Sequence, residues 1–176
     1  MESQHGSSGR LTERRKADIS RSSTDTQRVG WASTLVRMTE DNVGVVVAET
    51  ETRDTVRIED FYAADALMCT LSLRGPSYII FNGADGDGYV QFAGSHEQLT
   101  VEQRTTGAGD GFRHLVWGRG PLDEEAARVP TRDGWVDVDV SQVLQLHDAR
   151  VLLRAWWEGQ PMPPGSVPTD ITARFN

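Results

Sequence analysis

The sequence predicts an α+β domain: one twisted, mainly antiparallel sheet of about five to seven strands with two helices packed on one face. Three observations carry this. Between Ser77 and Val140 five segments of strand character follow one another, separated by glycine- and aspartate-rich spacers too short for the crossover helices of a parallel sheet. Two other segments change to helical period. The chain has 176 residues, enough for one core and not two.

Taken in order, Met1 to about Gly30 is Ser, Thr, Arg, Gln and Gly with scarcely an apolar residue, so it cannot offset its ordering entropy. Residues 1–30 are expected to be a disordered tail, and 31–176 a single domain. "VGVVVAET", Val43 to Thr50, suits a strand buried on at least one face, and "TVRIE" a second short strand. Between Asp60 and Leu73 the period changes: Ala64, Leu67, Met68 and Leu71 share one helical face, with Asp60 as N-cap and Gly75-Pro76 as the stop. The strands "SYIIFNG", "GYVQFAG", "LTVEQRT", "FRHLVWGR" and "GWVDVDV" are expected to form a meander. The last helix is "DARVLLRAWWEG": Ala149, Leu152, Leu153 and Trp156 share a face, Asp148 or His147 caps the start, and Gly159 with Pro161 closes it. A linker, "QPMPPGSVP", leads to "TDITARF", an edge strand or a strapped-down tail.

Within "GPSYIIFNGADGDGYVQFAG" the glycine cluster invites a phosphate-loop or calcium-loop reading. A phosphate loop needs a helix after it, and here "YVQFA" alternates as a strand; calcium ligands starting from Asp85 fail at Tyr89. A hairpin turn accounts for the composition. The second cluster, "TGAGDGF", also runs into a strand and reads as a hairpin loop. Cys69, the single cysteine, is expected to be a buried small side chain beside Met68, and it excludes an internal disulfide. His96, His114 and His147 show no spacing such as H-E-x-x-H. No catalytic, cofactor-binding or metal-binding residue is assigned, and no cofactor is expected.

The formal charge is −8. Residues 1–28 hold six basic against four acidic side chains, a surplus of two that leaves −10 on the rest. Such a body repels nucleic acid and attracts basic partners. Neither a membrane span nor a secretory leader is visible, so a cytoplasmic protein is expected. "GWVDVDV" is the most pointed segment: on a strand Val136, Val138 and Val140 face one way while Trp135, Asp137 and Asp139 face the other. That outward side, extended by Asp123, Glu124 and Glu125, has the composition of an acidic docking patch with an aromatic anchor. Trp156 and Trp157 point about 100° apart on their helix, so one belongs to the core and the other to a flank. Trp157 is grouped with the partner-facing residues.

The segments "DALMCTLSLRGPSYIIFNGADGDGYVQFAG", "LTVEQR" and "LQLHDARVLLRAWWEGQPMP" together resemble actinobacterial members of an immunity-protein family of bacterial polymorphic toxin systems. There a helix precedes a hairpin of the Asp-Gly-Tyr kind, and a late helix ends in two aromatics, glycine and proline, here Trp156, Trp157, Gly159 and Pro161 or Pro163. The resemblance covers roughly Thr55 to Asn176. It implies a non-enzymatic inhibitor that binds and occludes a cognate toxin, a nuclease or a nucleic-acid deaminase. Two other readings stand beside it: a small enzyme or ligand-binding domain using His114 on the open sheet face, and an acidic adaptor tethered by its basic tail. The sheet edges could also pair into a homodimer.

Overall fold

The computed structural model describes residues 46–52, 54–83, 86, 88–106 and 111–175. The expected tail at 1–30 lies outside the described residues. In chain order the elements are β1 (Val46–Thr50), β2 (Thr55–Ile58), α1 (Phe61–Met68), β3 (Tyr78–Asn82), β4 (Gly88–Gly94), β5 (Leu99–Thr106), β6 (Phe112–Arg119), β7 (Ala126–Thr131), β8 (Gly134–Asp139), α2 (Leu146–Trp157) and β9 (Ser166–Asp170). A 3-10 turn at Val140–Gln142 precedes α2, and another at Thr172–Phe175 follows β9.

Seven strands form one sheet in the order β2-β1-β3-β4-β5-β6-β9, every neighbouring pair antiparallel. The α+β expectation therefore holds. Both glycine clusters join antiparallel neighbours, β3 to β4 and β5 to β6, as hairpin loops do. Residues 84, 85, 87 and 107–110 of those loops lie outside the described residues.

Alternation fixes which face each strand residue serves. Ile79 pairs with Phe92 and Phe81 with Val90, all four fully buried on the face that receives the helices. Phe81 and Phe92 meet edge to face with ring centroids 6.0 Å apart, an arrangement worth about 1 kcal/mol beyond the area it buries. Ala64 and Met68 of α1 and Ala149, Leu152 and Leu153 of α2 close this core. A two-pronged ion pair from Arg150 to Asp65, 2.5 and 2.6 Å, ties the two helices together.

Several boundaries differ from the sequence expectation. Helix α1 keeps its Asp60 cap, whose carboxylate accepts from the Ala63 N–H, but it ends at Met68 rather than near Gly75. The Thr70 hydroxyl and amide both donate to the Leu67 carbonyl, which closes the last turn. Cys69 falls in that turn and is exposed, not buried. Helix α2 begins at Leu146, so Asp148 lies inside the first turn, where its carboxylate accepts from the Gln145 N–H. Trp156 and Trp157 are both half-buried against the core, so neither is the free flank expected. β9 begins at Ser166, inside the expected linker, and carries Pro168, which an edge strand tolerates.

The largest correction concerns "GWVDVDV". β8 is not part of the meander; it pairs with β7 in a separate two-stranded sheet. β7, "AARVPT", is not among the strands expected from the sequence; it carries Pro130, which a two-stranded ribbon, having only edges, accommodates. The ribbon lies on the second face of the main sheet, where Val129 and Val136 pack on Ala93. Its tip is held by the Arg132 N–H donating to Ser77 Oγ, while Ser77 Oγ donates to Glu51.

Candidate functional site

Two places gather polar chemistry. The first is the outer side of the β7–β8 ribbon. The expected alternation holds as far as Val138: Val136 is buried, Val138 half-buried, and Trp135 and Asp137 are exposed. Val140 departs from it, standing exposed at the start of the 3-10 turn. Cross-strand pairing sets Arg128 opposite Asp137, with Nε 3.1 Å from Oδ1 and the guanidinium 4.7 Å from the Trp135 ring. This side is thus an Arg–Trp–Asp cluster in which the arginine neutralises the acid.

Asp139 is occupied in another way. Its Oδ1 accepts from the Ser141 hydroxyl at 2.6 Å, the Ser141 N–H at 2.9 Å and the Asp123 N–H at 3.1 Å. The Ser141 hydroxyl, followed by those backbone donors, holds its carboxyl below the usual value despite some desolvation. Asp139 therefore caps the 3-10 turn and anchors the loop before β7 more than it faces outward. That loop carries Asp123, Glu124 and Glu125, all exposed. Glu124 has φ 58°, the sole positive φ of a non-glycine among the described residues. Such an outlier costs on the order of 1 kcal/mol and persists where surrounding bonds impose it. Trp157 is not near this patch. It belongs to α2 and the helix-side core, across the main sheet from the ribbon.

The second place lies on the main-sheet face that also carries the ribbon, toward β6 and the C-terminal segment. Strand parity sends Gln91, Glu102 and His114 there, opposite to Phe92, Val101 and Leu115. All three are buried, at 4, 7 and 3 % exposure. His114 Nε2 lies 3.0 Å from Glu102 Oε2. The Tyr89 ring meets the imidazole edge-on at 6.0 Å, and Phe175 stacks on it at 4.3 Å with 11° between planes. Burial pushes the Tyr89 phenol up, Glu102 adds to this and Arg104 opposes it. Beside them, burial pushes Glu49 up against the pull of its bond from Asn82. Two buried side-chain atoms here lack a partner among the described residues, Gln91 Nε2 and Thr100 Oγ1. An unmet buried polar group costs about 1–3 kcal/mol.

The sequence identifies His114 as the histidine on the open sheet face, but it does not bring Gln91, Glu102, Tyr89 and Phe175 to it. Parity was the available signal for three of these. Burial was not readable, and Phe175 arrives from the far end of the chain.

The C-terminal strap over His114 is fastened at several points. The Ile171 N–H donates to the His114 carbonyl, the His114 N–H donates to Thr172 Oγ1, and Arg113 pairs with Asp170 at 3.1 Å. The Thr172 hydroxyl, the Thr172 N–H and Arg113 together hold the Asp170 carboxyl down at about 2. Because this lies below the ordinary value of about 4, the fastening is fully present above that value and is lost as pH falls through about 2. On acid titration followed by NMR, the Thr172 amide is expected to lose protection within that window. Asp170→Asn should loosen the strap already at neutral pH, and equal protection in that variant would rule the carboxylate out as its fastener.

No protein-family model, curated protein or solved structure matches the chain. No helix among the described residues is long and apolar enough to cross a membrane.

Proposed function

We propose that this chain is an immunity protein, a non-enzymatic binding module that occludes a basic toxin domain of the nuclease or deaminase class. The observation that carries the reading is the charge left uncompensated around the loop before β7. Between Val46 and Asn176 the sequence has twenty acidic and eleven basic side chains. Five of the arginines are spent on ion pairs within the fold, namely Arg113, Arg119, Arg128, Arg150 and Arg154. Asp123, Glu124 and Glu125 stand exposed, without an ion pair among the described residues. An exposed acidic cluster on a body of the same sign steers basic partners and weakens in salt. The strained backbone at Glu124 fits a loop held for binding rather than for stability.

The test replaces Asp123, Glu124 and Glu125 together by lysine and leaves Asp139 intact, since Asp139 caps a turn. Tagged wild-type protein should recover a basic toxin domain from host lysate, more at low than at physiological salt. The triple variant should lose at least about tenfold of that capture, with stability within about 0.5 kcal/mol of wild type. Undiminished capture would remove this loop from the interface. Recovery of no basic partner at either salt would remove the immunity reading.

A further inference from the structure

The second polar face plays no part in that reading, and it holds two buried polar atoms without a partner among the described residues. Gln91 stands directly across from Glu102 in the β4–β5 register, and Thr100 is two residues from Glu102 on the same face. The two orphaned polar atoms thus lie beside the buried Glu102 carboxylate, and His114 engages one of its oxygens. A donor and an acceptor stand side by side on adjacent strands. Next to them the His114 imidazole offers a flat platform, and the ring stacked on it is Phe175, which is 45 % exposed and sits at the end of the C-terminal strap.

We infer that this face binds a small, neutral, planar ring carrying a carbonyl oxygen beside an N–H, of the pyrimidine-base type, and that Phe175 competes with that ring for the His114 platform. The bound ring stacks on the imidazole. Its carbonyl accepts from Gln91 Nε2, and its N–H donates to the Glu102 carboxylate. A site built to satisfy buried polar groups rejects analogues that lack the matching atom. Neutrality follows from the neighbours: Glu49 and Glu102 face this side, with Arg104 drawn over the Phe112 ring at 4.3 Å. A phosphate-bearing ligand would meet net negative charge.

The test is titration of the full chain with uridine, followed through the Gln91 side-chain amide by NMR. Saturable shifts are expected, and 3-methyluridine, which lacks the N–H, should bind about tenfold more weakly or worse. Phe175→Ala removes the internal competitor and should tighten uridine binding about tenfold, as expected if the strap occupies the platform about nine-tenths of the time. Gln91→Leu should lose uridine while melting no lower than wild type, because it removes a buried donor rather than a bond. Equal affinity for 3-methyluridine, no gain in Phe175→Ala, or no saturable shift in either protein would overturn the inference. Tighter binding of oligouridylate than of uridine would overturn it too, by assigning the face to nucleic acid.

Discussion

Gly94→Ala is expected to cost about 3 kcal/mol or more. Gly94 ends β4 at φ 128°, a backbone conformation that L side chains rarely adopt. A Cβ there would lie 2.2 Å from the Gln98 carbonyl oxygen, 2.7 Å from Leu99 Cα and 2.7 Å from Val129 Cγ1. Two of the three are backbone atoms of the tight β4–β5 turn, closed by the Ser95 N–H donating to Gln98 at 2.8 Å, so they cannot swing aside. The third is the residue through which the β7–β8 ribbon docks on Ala93. The change therefore strains the hairpin and lifts the ribbon together. Urea denaturation should show the midpoint falling sharply, with Gly111→Ala, where the added carbon meets nothing within 4 Å, as a near-neutral control. Equal midpoints for the two variants would mean that the close approach at Gly94 is not what the sequence protects.

His114→Leu is expected to be nearly as damaging, by about 3 kcal/mol, and the cause is the partner it leaves behind. Glu102 is buried and bonded to the imidazole at 3.0 Å, so the single variant leaves a buried carboxyl without that bond. It also removes the stack beneath Phe175 and the edge contact with Tyr89. Adding Glu102→Leu should restore most of the loss, to within about 1 kcal/mol of wild type, because two apolar groups of similar size need no partner. Strong non-additivity in this double-mutant cycle is the signature of a coupled pair. Losses that simply add would show that His114 and Glu102 serve the fold independently.

Much of this architecture was legible because strand and helix periodicity are local properties. The run of antiparallel strands, the Asp60 cap, the buried faces of both helices and the hairpin nature of both glycine clusters follow from residues a few positions apart. The same alternation placed Val136 inward and Trp135 and Asp137 outward. What a side chain meets is set by register and by contacts between distant segments, and there the tertiary structure decided. Pairing with β7 gave Asp137 an arginine and so altered the patch, a turn nearby claimed Asp139, and the sheet itself separated Trp157 from both. His114 was visible as an outward histidine. Its partners Glu102 and Phe175 lie 12 and 61 positions away along the chain, and only the closed fold carries them to it and buries Glu102 with an unmet amide alongside.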